Sequence, residues 1–122
     1  MIGYATLGTN DLTRAGAFYD ALLGELGATR QLELPRVIFW AVGKGTPMLG
    51  AITPFDGKPA TVGNGTMVAL AIDSQEKINA LHAKALELGG TDEGAPGERM
   101  PGFYAAYFRD PDGNKLAFFK MG

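Results

Sequence analysis

Side chains able to do nucleophilic, acid–base or metal chemistry are sparse in this sequence. It has a single histidine, His82, and no cysteine. Thiolate nucleophiles, thiolate metal sites and disulfides are therefore excluded. A catalytic metal centre takes about three protein ligands, and a hydrolytic triad needs an imidazole beside its nucleophile. His82 instead lies beside Ile78, Leu81, Ala85 and Leu88, an apolar stripe at helical spacing. That setting predicts a partly exposed helical residue, neither ligand nor general base.

The richest local pattern is residues 103–120, FYAAYFRDPDGNKLAFFK. Two aromatic-rich strand-like runs flank Asp110-Pro111-Asp112-Gly113-Asn114. Pro fixes φ near −65° and Gly supplies positive φ, so the chain reverses there as a β-hairpin.

Composition bounds what such a hairpin can belong to. At 122 residues the chain is one domain, or two small modules sharing a core. Hydrophobic content of 46% and charged content of 20% argue against disorder. A net charge of −2 without a Lys/Arg run argues against nucleic-acid and anionic-membrane partners. The longest apolar run, 37–42, is far too short to span a bilayer. No basic, then apolar leader opens the chain, and the lack of cysteine suits a reducing compartment, so a cytoplasmic protein is expected.

Elements follow in order. Residues 2–9 read as a strand, with Asn10 or Asp11 as N-cap of a helix carrying Leu12, Ala15, Phe18, Tyr19, Leu22, Leu23 and Leu26 and ending at Gly27. Strands are expected at 28–34, 36–42 and 48–53, and residues 54–65 are turn-rich. The pattern then restarts. A strand at 66–72 leads to a helix capped by Asp73 with Glu76 three residues on, followed by strands at 91–95, 103–109 and 115–120. The order is β-α-β-β-β, twice. Tyr4 to Asn10 aligns with Met67 to Asp73 at an offset of 63, which also places Tyr19 on His82. Repetition of a whole unit predicts an α+β fold of two βαβββ modules forming a curved mixed sheet with helices outside. Module one covers about 1–54, a connector 55–64, and module two 65–122.

Asn10-Asp11-Leu12 leading into Phe18-Tyr19 and Leu23-Gly24, with Tyr107 to Asn114 at the last hairpin, resembles the vicinal oxygen chelate superfamily. That superfamily includes glyoxalase I, bleomycin-resistance proteins and extradiol dioxygenases. The resemblance implies a cavity between the modules. In the metal-using members His, Gln or Glu residues from the first and fourth strands of each module hold a divalent ion there. Carried onto this chain, those positions fall on Tyr4, Met67, Ala117 and a residue within 48–53, where no carboxylate, His or Gln occurs. Phenol, thioether and methyl groups do not suit a hard or borderline cation. The expectation is a member with no metal ligands and no cofactor.

If Tyr4, Met67 and Ala117 face the cavity, strand alternation brings Thr6, Gly8, Ala69, Ala71, Lys115 and Phe119 with them. Leu7, Leu70, Leu116 and Phe118 then face the helices. The candidate ligand-binding residues are thus Tyr4, Thr6, Met67, Ala69, Lys115, Ala117 and Phe119, joined by Trp40, Met48 and Tyr104, whose facing the sequence leaves open. Small residues leave volume, aromatics and Met suit flat ligands, and Lys115, Arg36 or Arg99 could meet an anionic group. The resemblance implies a homodimer whose modules pair within or between chains, binding an unidentified small molecule. The alternative is a glyoxalase-like lyase or isomerase, recruiting Glu33, Asp56 or Glu98 as ligands or Tyr4 or Lys115 for acid–base work.

Overall fold

The computed structural model describes all 122 residues. Its elements are β1 (Tyr4–Gly8), α1 (Leu12–Gly24), β2 (Thr29–Leu34), β3 (Val37–Ala41), β4 (Met48–Ile52), β5 (Val68–Ala71), α2 (Gln75–Glu87), β6 (Thr91–Met100), β7 (Phe103–Arg109) and β8 (Lys115–Met121). The βαβββ order occurs twice, and the chain divides into two compact units, Met1–Gly63 and Asn64–Gly122. The sheet orders are β1-β4-β3-β2 and β5-β8-β7-β6. In each unit the first strand runs parallel to the last, and the remaining pairs are antiparallel. The fold is α+β, two modules of one topology.

In the first unit, α1 starts where Asp11, in extended backbone, accepts the Arg14 N–H at 3.0 Å. Ala15, Phe18, Tyr19, Leu22 and Leu23 then fall on one buried stripe. The helix stops at Gly24, and the following turn closes on Gly27 at φ 80°. Leu7, Ile38, Trp40, Leu49 and Ala51 cover the stripe from the sheet. A polar tie binds helix to sheet. The Arg30 guanidinium of β2 donates to both carboxylate oxygens of Asp20, at 2.9 and 2.8 Å, while Trp40 Nε1 donates to Asp20 at 2.8 Å. Gly16 makes room for it, since a Cβ there would fall 2.7 Å from Arg30 Nη2.

In the second unit Ser74, rather than the expected Asp73, caps α2 by accepting the Lys77 N–H at 3.1 Å. Asp73 pairs instead with the Lys77 ammonium at 3.3 Å. Ile78, Leu81 and Ala85 meet Ala106, Phe108, Leu116 and Phe118, all nearly or fully excluded from solvent. Each large apolar side chain buried this way contributes roughly 1.5–3 kcal/mol. Strand β6 runs five residues past the expected end at Ala95, through Pro96 to Met100. It lies at the sheet edge, where a missing N–H costs no ladder bond, and register shifts accommodate it.

The turn between β7 and β8 closes on itself. Asp110 Oδ1 accepts the N–H groups of Asp112 and Asn114, both at 2.9 Å, and Asn114 Nδ2 donates to Asp110 Oδ2 at 3.0 Å. Gly113, at φ 92°, supplies the left-handed step. Asp110 and Asn114 are buried, with their polar atoms bonded within the turn.

Candidate functional site

Each sheet has one face against its helix and a second face that no helix of its unit covers, called open below; on it Phe39, Gly50, Ala105 and Ala117 are buried, while Tyr4, Thr6, Ala69 and Ala71 are exposed. In the first unit Tyr4 pairs with Met48, and Thr6 with Gly50, which pairs with Phe39. Alternation puts these residues opposite Leu7 and Trp40. Tyr4 is 61% exposed and meets Phe39 edge-on, ring centroids 5.2 Å apart. Gly50 permits this contact: a Cβ there would sit 2.6 Å from the Phe39 ring. No charged side chain belongs to this paired set.

One end of that face is closed by the connector. The Ala60 N–H donates to Asn10 Oδ1 at 2.7 Å, and a Cβ on Gly8 would meet the Ala60 methyl at 3.0 Å. Beside this closure is a cavity of about 450 Å³, lined among others by Asn10, Arg36, Thr53, Phe55 and Lys58. The Arg36 guanidinium lies 5.3 Å from the Phe55 ring centroid and donates to the Thr53 carbonyl at 2.9 Å. Of these, the sequence marks Arg36 as a possible anion contact and Asn10 only as a candidate helix cap. The aromatic and second cation in the turn-rich run were the available signal.

In the second unit Ala69 pairs with Ala117, which pairs with Tyr107, while Ala71, Phe119 and Ala105 form the next row. Lys115 pairs with Arg109. Lys115 Nζ lies 5.4 Å and Arg99 Cζ 5.3 Å from the Tyr107 ring centroid. Phe103 and Phe119 rings sit 6.1 Å apart. Arg109 is neutralised by Glu93 at 2.8 Å.

The structure thus brings Tyr4, Thr6 and Met48 together on one open face, and Ala69, Lys115, Ala117 and Phe119 on another. Met67 immediately precedes β5 and is 42% exposed. Two nominated residues are corrected. Trp40 turns inward, is 1% exposed, packs on Tyr19 and donates to Asp20. Tyr104 also faces its helix, where its hydroxyl donates to Asn79 Oδ1 at 2.6 Å. Phe39 and Tyr107 hold the open-face aromatic positions instead.

His82 is also corrected from partly exposed to buried. Its Nε2 lies 3.0 Å from Asp92 Oδ1 and 3.1 Å from the Tyr107 carbonyl. A carbonyl only accepts, so Nε2 carries the proton. The imidazole ties α2 to β6 and β7 and has no access to an open face. The strongest electrostatic perturbation is likewise on a helix side. The Arg30 guanidinium holds the Asp20 carboxyl below its ordinary value, partial burial opposing and the Trp40 N–H assisting. Arg30 is held above its own by Asp20 and then Glu33. This is a structural pair, since it ties α1 to β2 and Trp40 on the helix side of the sheet.

The residues do not fit a divalent ion. By register, Gly50 stands to Thr6 and Phe39 as Ala117 stands to Ala69 and Tyr107. The four implied ligand positions therefore carry Tyr4, Gly50, Met67 and Ala117, and none is a His, Gln or carboxylate. No group of three His, Cys, Asp or Glu side chains able to hold a metal forms anywhere in the chain. Glu33 is bonded to Arg30 at 2.6 Å, and Asp56 accepts the Lys58 N–H of its own turn at 2.9 Å. No helix is long and apolar enough to cross a membrane.

Comparison with known proteins places this geometry in a family. Residues 1–118 match the model of the glyoxalase/bleomycin resistance protein/dioxygenase superfamily. A crystal structure of a glyoxalase/bleomycin resistance protein from Albidiferax ferrireducens is 40% identical, with a TM-score of 0.89, covering 98% of this chain and 97% of that one. A lactoylglutathione lyase from Agrobacterium tumefaciens is 25% identical, with a TM-score of 0.72, covering 98% and 92%. A family enzyme from Burkholderia phytofirmans, at 20% identity and a TM-score of 0.79 over 98% of both chains, shares the fold. No curated protein matches the chain. Repeated topology, register and family match together make this chain a member of the glyoxalase/bleomycin resistance protein/dioxygenase superfamily.

Proposed function

We propose that this protein is a metal-independent binder of small flat or amphipathic molecules, of the bleomycin-resistance kind, acting as a cytoplasmic homodimer. One observation carries the reading. Where metal-using relatives are expected to present donors, the open faces offer an exposed phenol, a thioether, a glycine and a methyl. Aromatics over small residues suit a planar apolar partner. Titration with N-phenyl-1-naphthylamine should give saturable fluorescence that EDTA leaves unchanged, in protein free of stoichiometric zinc, nickel or manganese. Absence of saturable binding, or its loss on chelation, overturns the reading. Light scattering on a sizing column that returns one chain's mass removes the dimer.

The 25%-identical neighbour described as a lactoylglutathione lyase favours a second reading, a glyoxalase-like lyase or isomerase. Without metal ligands, acid–base work would fall to Tyr4 or Lys115. Formation of lactoylglutathione by the purified protein, lost in Tyr4→Phe or Lys115→Met, would establish it.

A further inference from the structure

The two open faces differ in charge. Counting from matched register, Phe39, Met48 and Gly50 of the first unit correspond to Tyr107, Lys115 and Ala117 of the second. An apolar thioether is thus replaced by an ammonium at the head of the last strand. Lys115 lies directly across from Arg109, and like charges so placed destabilise a sheet unless compensated. Glu93 compensates Arg109, while Lys115 has no carboxylate partner. Arg99, the other cation over the Tyr107 ring, has none either and donates only to the Ala95 carbonyl, at 2.6 Å.

Arg99 is placed there by the backbone. A Cβ on Gly97 would fall 3.0 Å from its Nη1, and one on Gly94 3.2 Å from its Nη2 and 2.9 Å from Tyr107 Cδ2. Two glycines of β6 therefore clear the track along which the guanidinium folds back onto the ring. In a chain of net charge −2, two uncompensated cations converge on one aromatic of an open sheet face.

We propose that this face of the second unit is the anion-recognising part of the ligand site. Its ligand is a flat aromatic acid whose carboxylate, sulfonate or phosphate meets Lys115 and Arg99 beside Tyr107. The assignment rests on the binding reading above and narrows its ligand class. Charge complementarity is the argument: an acid supplies the counter-charge that Lys115 and Arg99 lack, and its ring extends the Tyr107, Phe119 and Phe103 surface.

The test compares two probes of one skeleton, 8-anilinonaphthalene-1-sulfonate and neutral N-phenyl-1-naphthylamine, by fluorescence titration. In Lys115→Met and in Arg99→Met, affinity for the sulfonate should fall about tenfold while affinity for the neutral probe holds within about twofold. Added salt should weaken the sulfonate alone. Gly97→Ala, which displaces Arg99 without removing charge, should reproduce part of the loss. Retained neutral-probe binding also shows that each variant is folded. Equal effects of the substitutions on both probes, or none on either, overturn the anion assignment and leave the binding reading intact. Saturable binding of neither probe to the wild-type protein overturns both.

Discussion

Both units tie helix to sheet from the same strand position, but the donor and acceptor roles are reversed. In the first unit the strand supplies the cation: Arg30, in register with Trp40, reaches Asp20 on α1. In the second the strand supplies the anion: Asp92, in register with Phe108, meets His82 on α2. The open faces diverge as well. Phe39 leans across Gly50 toward Tyr4, whereas Tyr107 packs where a Cβ on Gly94 would be and lies between cations. The scaffold demands a polar tie at the helix and a small residue where each ring lies. It does not demand which partner bears the charge, nor what the open face presents. Topology is held in common, and chemistry is free to differ on it.

Four substitutions sharpen that comparison. Gly50→Ala should have the largest effect, about 1–3 kcal/mol in urea unfolding, because the new methyl collides with a buried ring. Gly94→Ala, against half-buried Tyr107 beside an edge strand, should cost less. In a Phe39→Ala background the Gly50 penalty should largely vanish, and its persistence would show that the ring is not the reason for the glycine. His82→Leu should come next, at about 1–2 kcal/mol, since it removes the imidazole N–H shared by the Tyr107 carbonyl and Asp92, leaving Asp92 only the Gly94 N–H of its own turn.

Asp20→Asn should be the mildest at neutral pH, under about 1 kcal/mol, because the Arg30 pair is substantially exposed. Its signature is pH dependence. The folded-state pKa of Asp20 is lowered, so its contribution is present above the unfolded value and is lost as pH falls through the folded one. The gap between wild type and variant should therefore close below about pH 4. A gap that persists into acid would mean that the tie does not depend on the carboxylate's charge.

The doubled βαβββ order was legible because each helix carries its own apolar period and each hairpin its own turn residues. Boundaries were less so. Ser74 and Asp73 are both competent caps, and only the register of α2 chooses between them. Pro96 reads as a strand end until the strand is known to lie at an edge. Trp40 escaped because VIFWA is buried at every position and shows no alternation. Tyr104 lies in FYAAYF, aromatic at both ends with alanines between, which is ambiguous in the same way. The polar partners of His82 and Arg30 could not be assigned without knowing which strand faces which helix. Tyr107 and Arg99 meet only through the irregular register of β6, which no periodicity announces.

The loop at Asp110–Asn114 bonds the Asp110 and Asn114 side chains within itself and buries both. Lys115 is the first residue beyond it, so the direction of its stem is fixed by the hairpin before any visitor arrives. The strand beneath the ammonium is thus ordered in advance, and capture of an acid costs the freedom of the four-carbon stem alone, not that of the backbone that bears it.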